Sequence, residues 1–369
     1  MLLLLVLIAG GYAAVRYKRG GLVDVGPPRT AAARFMASEP LYRADDGHWQ
    51  FKYLPASAVL MVPFTWVPKE IAELTWFALM VTMAYAFVRL SLGALPDRRR
   101  SAQALVWLTL LLTGKFLVKE LALGQFNLPL ALLLLGAVIA AQHGRAFSAG
   151  ALVAAGVFVK PYALVLVPWL AWTLGWRPFI PFAMVLVVGL LLPAAIYGWN
   201  GNLTLLHEWY RTVVATTEPN LLMPETISFS SMWAKWIQPG PLAAGLALAS
   251  AIGAVAAGLF VMSRRKQVAE PDYLEGAYFF VLVPLISPQG WDYVLLIALP
   301  AYMCLVDRWR ELSPAWRAAA LMGFFLTSFT IYDLLRRPLY LLLMRVAAVS
   351  VGAVIVAACL VRLRWQAAA

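Results

Sequence analysis

Cysteine and histidine are scarce in these 369 residues, with two of the first and three of the second. Cys304 and Cys359 both lie inside apolar runs and form no paired-cysteine motif, so neither a disulfide framework nor a zinc site is expected. His48, His143 and His207 are far apart, and no H-E-x-x-H segment occurs, so no metal is expected. Neither a phosphate-cradling P-loop nor a G-x-G-x-x-G turn opening a helix is present, which leaves ATP-driven and dinucleotide chemistry without support. No cofactor is expected. Charged residues make up only 13% of the chain.

Apolar residues fill the space. They account for 62% of the sequence, against about 45–50% in soluble domains, and the mean hydropathy is +0.77. Runs long enough to cross a bilayer follow one another. This composition predicts an all-α polytopic membrane protein. Counting apolar runs between basic loops gives a bundle of about twelve transmembrane helices with both ends inside. Residues 1–369 form one integral-membrane unit, with an external loop and interfacial helix over 16–68 and a second external loop over 199–238. Residues 1–15 read as a retained first helix, because no convincing cleavage site follows.

The net charge of +12 is not a nucleic-acid footprint. Basic residues sit in short loops, as in Arg98-Arg99-Arg100 and Arg264-Arg265-Lys266, where they mark the cytoplasmic face and contact lipid headgroups. Arg16, Lys18 and Arg19, with Arg336 and Arg337, fall on the other side by this count. There they are candidates for an anionic substrate.

The first loop holds a solitary Asp24, a cluster of Asp45, Asp46 and His48, and Pro27-Pro28, which should break any continuing helix. Residues 30–38 read as a short surface helix, and 53–68, interrupted by Pro55 and Pro63, as an interfacial or re-entrant one. Asp24 is either a functional carboxylate or a loop acid paired with Arg19 or Arg29. Lys160 interrupts a long apolar stretch. A membrane-embedded ammonium marks a functional site unless it snorkels to the interface. Lys115 and Lys119 share a helix face, and Lys119 precedes Glu120, so an interfacial ion pair competes with a substrate role. Gln125 and Asn127 begin a span, as caps, sugar ligands or both. Trp291 and Asp292 occupy a polar turn between apolar runs, and Glu208 to Glu225 is rich in aromatics and hydrogen-bonding groups.

One acid with several cations and amides on one membrane face fits glycosyl transfer from a lipid-phosphate sugar. A carboxylate takes the acceptor proton, and cations stabilise the departing phosphate. A flippase or transporter of polyprenyl-linked glycans is the alternative, and should show inverted repeats with polar groups at mid-bilayer. A glycan polymerase or ligase would want paired external arginines, for which Arg336-Arg337 is the one candidate.

Five stretches carry a family resemblance. Asp24 lies 18 residues before Tyr42 in an Asp-led first loop, and Phe51-Lys52-Tyr53-Leu54-Pro55 resembles an F-x-Y-P-P entry to an interfacial helix. Gly124-Gln125-Phe126-Asn127 resembles G-Q-x-N, Lys160-Pro161-Tyr162 resembles Lys followed by Tyr-Pro, and Ser287-Pro288-Gln289-Gly290-Trp291 resembles S-P-x-x-W. Leu54 replaces a proline, and the order of Pro161 and Tyr162 is reversed. Together these resemble bacterial glycosyltransferases of family 87, in the GT-C superfamily, which are polyprenol-phosphate-mannose-dependent α-mannosyltransferases. The resemblance implies a plasma-membrane enzyme with an extracytoplasmic site, and inversion of a β-linked donor. Its partners are a polyprenyl-phosphate sugar donor, a lipid or glycan acceptor and membrane lipids. It implies Asp24 as catalytic base, Lys160, Lys119 and Arg19 as donor-phosphate ligands, and Lys52, Tyr53, Gln125, Asn127, Trp291 and Asp292 as sugar or acceptor ligands.

Overall fold

A helix that is apolar on every side is either buried in a bundle or set against lipid. The computed structural model, which describes residues 10–11 and 21–367, contains both kinds. Arg16, Lys18, Arg19 and nearly all of the expected first span lie outside the described residues.

The chain begins with α1 (Gly26–Met36), a 3-10 turn at Ala44–Trp49, and a second at Pro55–Met61 that runs into the one-turn helix Val62–Thr65. There follow α2 (Lys69–Ala94), α3 (Ala102–Leu123), α4 (Asn127–Gln142) and α5 (Ala146–Val159). A 3-10 turn, Pro161–Leu166, leads into α6 (Val167–Leu174), then α7 (Phe179–Leu191), α8 (Ala194–Thr217) and α9 (Phe229–Ile237). Next are α10 (Pro241–Met262), α11 (Asp272–Ile286), the 3-10 turn Asp292–Ala298 and α12 (Leu299–Asp307). The last three are α13 (Pro314–Ser328), α14 (Tyr332–Arg345) and α15 (Ala348–Gln366). Among the described residues there is no strand, only an isolated antiparallel bridge between Thr226 and Trp291.

The core is the hairpin of α11, the 3-10 turn Asp292–Ala298 and α12. Nearly every residue in it is buried, because α2, α3, α4, α10 and α15 surround it. The periphery is the reverse. Trp66 is 74% exposed, and Leu242, Leu248 and Phe260 project from α10 into the surroundings. So many exposed large apolar side chains suit contact with lipid tails. Among the described residues, by length and composition, three helices can cross a membrane, α2, α10 and α15, or up to five if α7–α8 and α13–α14 each count as one bent span. Four shorter apolar helices accompany them. The chain is thus an all-helical protein with several apolar helices, as a membrane protein requires.

Three local expectations change. Pro27 and Pro28 open α1 rather than break a helix: in the first turn a missing N–H costs nothing, so α1 starts at Gly26. Residues 199–238 are mostly helical. Gly198, at φ 68°, lets the chain turn into the long arm of α8, which lies at 90° to α7. Arg336 and Arg337 sit at a break inside α14, where Arg336 takes a left-handed φ of 57°, and both are exposed.

At one end of the bundle a buried charge cluster joins three segments. Arg364 Nε and Nη2 donate to Glu275 Oε1 at 2.9 and 2.8 Å, and Arg265 donates to both Glu275 and Asp272. Nearby, Asp307 accepts the backbone N–H of Arg99 and Arg100 at 3.0 and 2.9 Å, which ties the basic loop to α12. Arg364 is 2% exposed, so removing its partner strands a charge. The Glu275→Gln variant is expected to lose about 3–5 kcal/mol, the range for breaking a buried pair. Thermal melting of the detergent-purified protein measures this, and an unchanged midpoint would contradict the coupling.

Candidate active site

Asp24 sits on a turn that α2 and α3 hold in place. Leu22 N–H donates to Glu73 Oε2 at 3.2 Å, and Asp24 N–H donates to the Leu123 carbonyl at 3.0 Å. Trp76 Nε1–H donates to the Gly124 carbonyl at 3.0 Å. Gly124 ends α3 with φ +77°, the left-handed cap that favours glycine. A Cβ there would come within 2.6 Å of Val25 Cγ2 and 3.0 Å of Leu22 Cβ, so glycine is also required for the turn to approach. The next residue, Gln125, then reaches Asp24: its Nε2 donates to Asp24 Oδ2 at 2.6 Å. Arg29 is not Asp24's partner. Its guanidinium donates to the Phe64 and Val67 carbonyls.

A second clasp sets the floor. Glu120, fully buried near the end of α3, accepts the N–H groups of Asn127 and Leu128 at 2.6 and 3.1 Å and Asn127 Nδ2 at 2.7 Å. Asn127 is therefore the first residue of α4 rather than its own cap, and Glu120 does the capping. The amide oxygen left over accepts Lys160 Nζ at 2.7 Å. Pro161 cannot continue α5, so Lys160 breaks from the helix in an extended conformation. The expected pairing of Lys119 with Glu120 does not form. Lys119 Nζ donates to Asp292 Oδ1 at 2.8 Å, and Lys115 stands 3.9 Å from the other carboxylate oxygen.

The turn after α11 closes the far wall. Asp292 N–H donates to the Glu225 carbonyl at 2.8 Å, and Ile227 N–H donates to the Gly290 carbonyl at 2.7 Å. Gln289 Nε2 donates to the Thr216 and Thr217 hydroxyls, both at 3.0 Å. Trp291 and Tyr293 lie nearly parallel, 5° apart. The Glu225 carboxylate accepts the Tyr340 hydroxyl at 3.2 Å.

These elements enclose a cavity of about 360 Å³. Asp24, Lys52, Tyr53, Lys119, Gln125, Lys160 and Trp291 all line it. Asn127 and Asp292 lie behind the wall and hold Lys160 and Lys119 in position. Arg19 lies outside the described residues. Of the first-loop cluster, His48 reaches the cavity, whereas Asp46 is taken by Arg34 in a bidentate pair at 2.6 and 2.8 Å, which holds its carboxyl below the usual range. Gln289, Tyr162 and Tyr293 also line the cavity; the sequence assigns them no role, although Gln289 and Tyr162 stand within the stretches that resemble the family. Burial pushes the Asp24 carboxyl up, while the Gln125 hydrogen bond and the charges of Lys160, His48 and Lys52 pull against it. Burial lowers the Lys52 ammonium, opposed by the Asp24 charge. Among the described residues no three His, Cys, Asp or Glu side chains converge as a metal site would need.

The cavity thus offers a partly desolvated carboxylate, Asp24, facing cations on separate segments, with aromatic rings and amides between them and a second acid, Glu225, on the far wall bonded to Tyr340. Such a lining can bind an anion, lay a ring against a sugar and accept a proton. No curated protein and no solved structure matches the chain. A family model, Glycosyltransferase family 87, matches residues 51–288, more than half of the 369. The chain belongs to glycosyltransferase family 87.

Proposed function

We propose that this glycosyltransferase moves a mannosyl group from polyprenyl phosphate to a hydroxyl of a lipid or glycan acceptor, with inversion at the anomeric carbon. The observation that carries the reading is the Asp24 carboxylate, free of any ion pair among the described residues, lining the same cavity as Lys52, Lys119 and Lys160. The topology that goes with it has about twelve crossings and an extracytoplasmic cavity, because the basic loops gather at the other end. That placement fits a bacterial-type plasma membrane.

In this mechanism Gln125 holds Asp24 Oδ2, so Oδ1 meets the acceptor hydroxyl. The acceptor oxygen attacks the anomeric carbon as its proton passes to Asp24. The bond from that carbon to the phosphate oxygen breaks, and the electron pair leaves with the polyprenyl phosphate. Lys160, oriented by Asn127, and Lys119, oriented by Asp292, counter the charge growing on the phosphate. Lys52, Tyr53 and Trp291 border the sugar and the acceptor. A desolvated carboxylate is a stronger base than one in water, which suits a hydroxyl proton.

Four outcomes are expected. The Asp24→Asn variant should lose roughly 10²–10⁴-fold of the transfer rate, measured with radiolabelled mannosyl polyprenyl phosphate and purified protein. Equal turnover would remove Asp24 as the base. Activity should need the ionised carboxylate, so kcat/KM should fall with decreasing pH through an inflection above 3.8, the ordinary value for an aspartate. Gln125→Ala removes a bond that lowers this pKa, so the inflection should move to higher pH; movement to lower pH would contradict the assigned role. Lys160→Met should raise the donor KM, and an unchanged KM would count against phosphate binding there.

A further inference from the structure

A second cavity, larger and of opposite character, opens on the side of the bundle. It encloses about 580 Å³ between α9, α10, α11, α13 and α15. Ala254, Ala257, Leu282, Val354, Ala357 and Val361 give it an almost wholly apolar wall. Small residues on α10 and α15 are the reason for the gap, since alanine on two neighbouring helices leaves the space a leucine would fill. The volume lies in the range of ordinary ligand sites.

One end of this groove is cationic. Arg362 and Trp365 line it there. Arg264 stacks over Trp365, 3.8 Å from the ring centroid, and Phe260 stacks on the same indole at 5.4 Å. The acids of this region are already used: Asp272 and Glu275 pair with Arg265, and Glu275 also with Arg364. Arg264, Lys266 and Arg362 form no ion pair among the described residues, and Glu270 in the adjoining loop pairs with none of them. The Arg362 Nε is buried without a hydrogen-bond partner. A buried guanidinium N–H without an acceptor is costly, and one beside an apolar groove calls for an anion carried on an apolar chain.

We infer that this groove binds a resident anionic glycerophospholipid, with an acyl chain between α10, α11 and α15 and its phosphate against Arg362 and Arg264. The lipid is not the sugar donor. Glu275, which pairs with Arg364, lies near the start of α11, and the Ser287–Trp291 turn of the polar cavity follows its other end. Twelve helical steps separate Glu275 from Ser287, about 18 Å at 1.5 Å per residue. A phosphate held at Arg362 therefore lies in the leaflet remote from Asp24. Trp365 and Arg264 sit where an aromatic and a cation meet lipid headgroups.

The test is native mass spectrometry of the full chain released from detergent, with phosphatidylglycerol and phosphatidylcholine offered in equal amounts. The wild type should retain phosphatidylglycerol at least fivefold over phosphatidylcholine. Arg362→Gln should bring the ratio close to one, and Arg362→Lys should restore most of it. Ala257→Trp, which fills the groove, should lower retention of both lipids. Equal retention of the two lipids by the wild type would overturn the inference without any substitution. So would unchanged selectivity in Arg362→Gln, undiminished binding in Ala257→Trp, or displacement of phosphatidylglycerol by an equal amount of polyprenyl phosphate. None of these readouts depends on the transfer reaction, so the donor assignment can fail or stand separately.

Discussion

Glu120 is the residue on which the polar cavity depends. A carboxylate without access to water is tolerated only when its oxygens are satisfied, and three N–H groups at the start of α4 satisfy this one. The consequences spread outward. Capping by Glu120 sets where α4 begins and turns the Asn127 amide so that its oxygen faces Lys160. Lys160 is free to be held because Pro161 has ended α5. One turn from Glu120, Gly124 lets the Asp24 turn settle against α3. The end of α3 thereby fixes a cation from one side of the cavity and a carboxylate from the other.

Charge in this bundle is partitioned by burial and by partner. Glu120 and Asp292 are buried and position lysines. Glu275 and Asp307 are buried and hold loops and helices together at the opposite end. Asp24 differs: it lines a cavity, accepts one side-chain amide and has no lysine or arginine within salt-bridge distance among the described residues. Of these five acids, four have their oxygens met by N–H groups or cations, and Asp24 is poised beside cations without touching them.

The two cavities divide the molecule in the same way. The polar one lies where helices are short, broken and capped by side chains from their neighbours, because irregular backbone in an apolar setting must find partners inside the protein. The apolar one opens mainly between α10 and α15, two long uninterrupted helices whose backbone needs no help, so its shape there comes from the sizes of the side chains. Only its cationic end calls for a polar ligand.

The apolar runs and the prolines determined that this chain is an all-helical membrane-type protein, since hydropathy and a missing N–H act locally. Lys160 and Lys119 drew attention because a charge in apolar sequence must be justified, and Asp24 and Gln125 because they stand alone at the ends of apolar runs; all four line one cavity. The tertiary structure decided who pairs with whom. Lys119 is adjacent to Glu120 in the chain, yet adjacent helical residues point apart, so it turns to Asp292 across 173 positions. Asn127 could have capped its own helix, but Glu120 arrived first from the preceding one. Asp46 and His48 are near neighbours in sequence, and only the packing of α1 gives the first to Arg34 and the second to the cavity. Sequence determines which charges exist and where helices stop; which of them meet depends on contacts between distant segments, and those exist only once the bundle has closed.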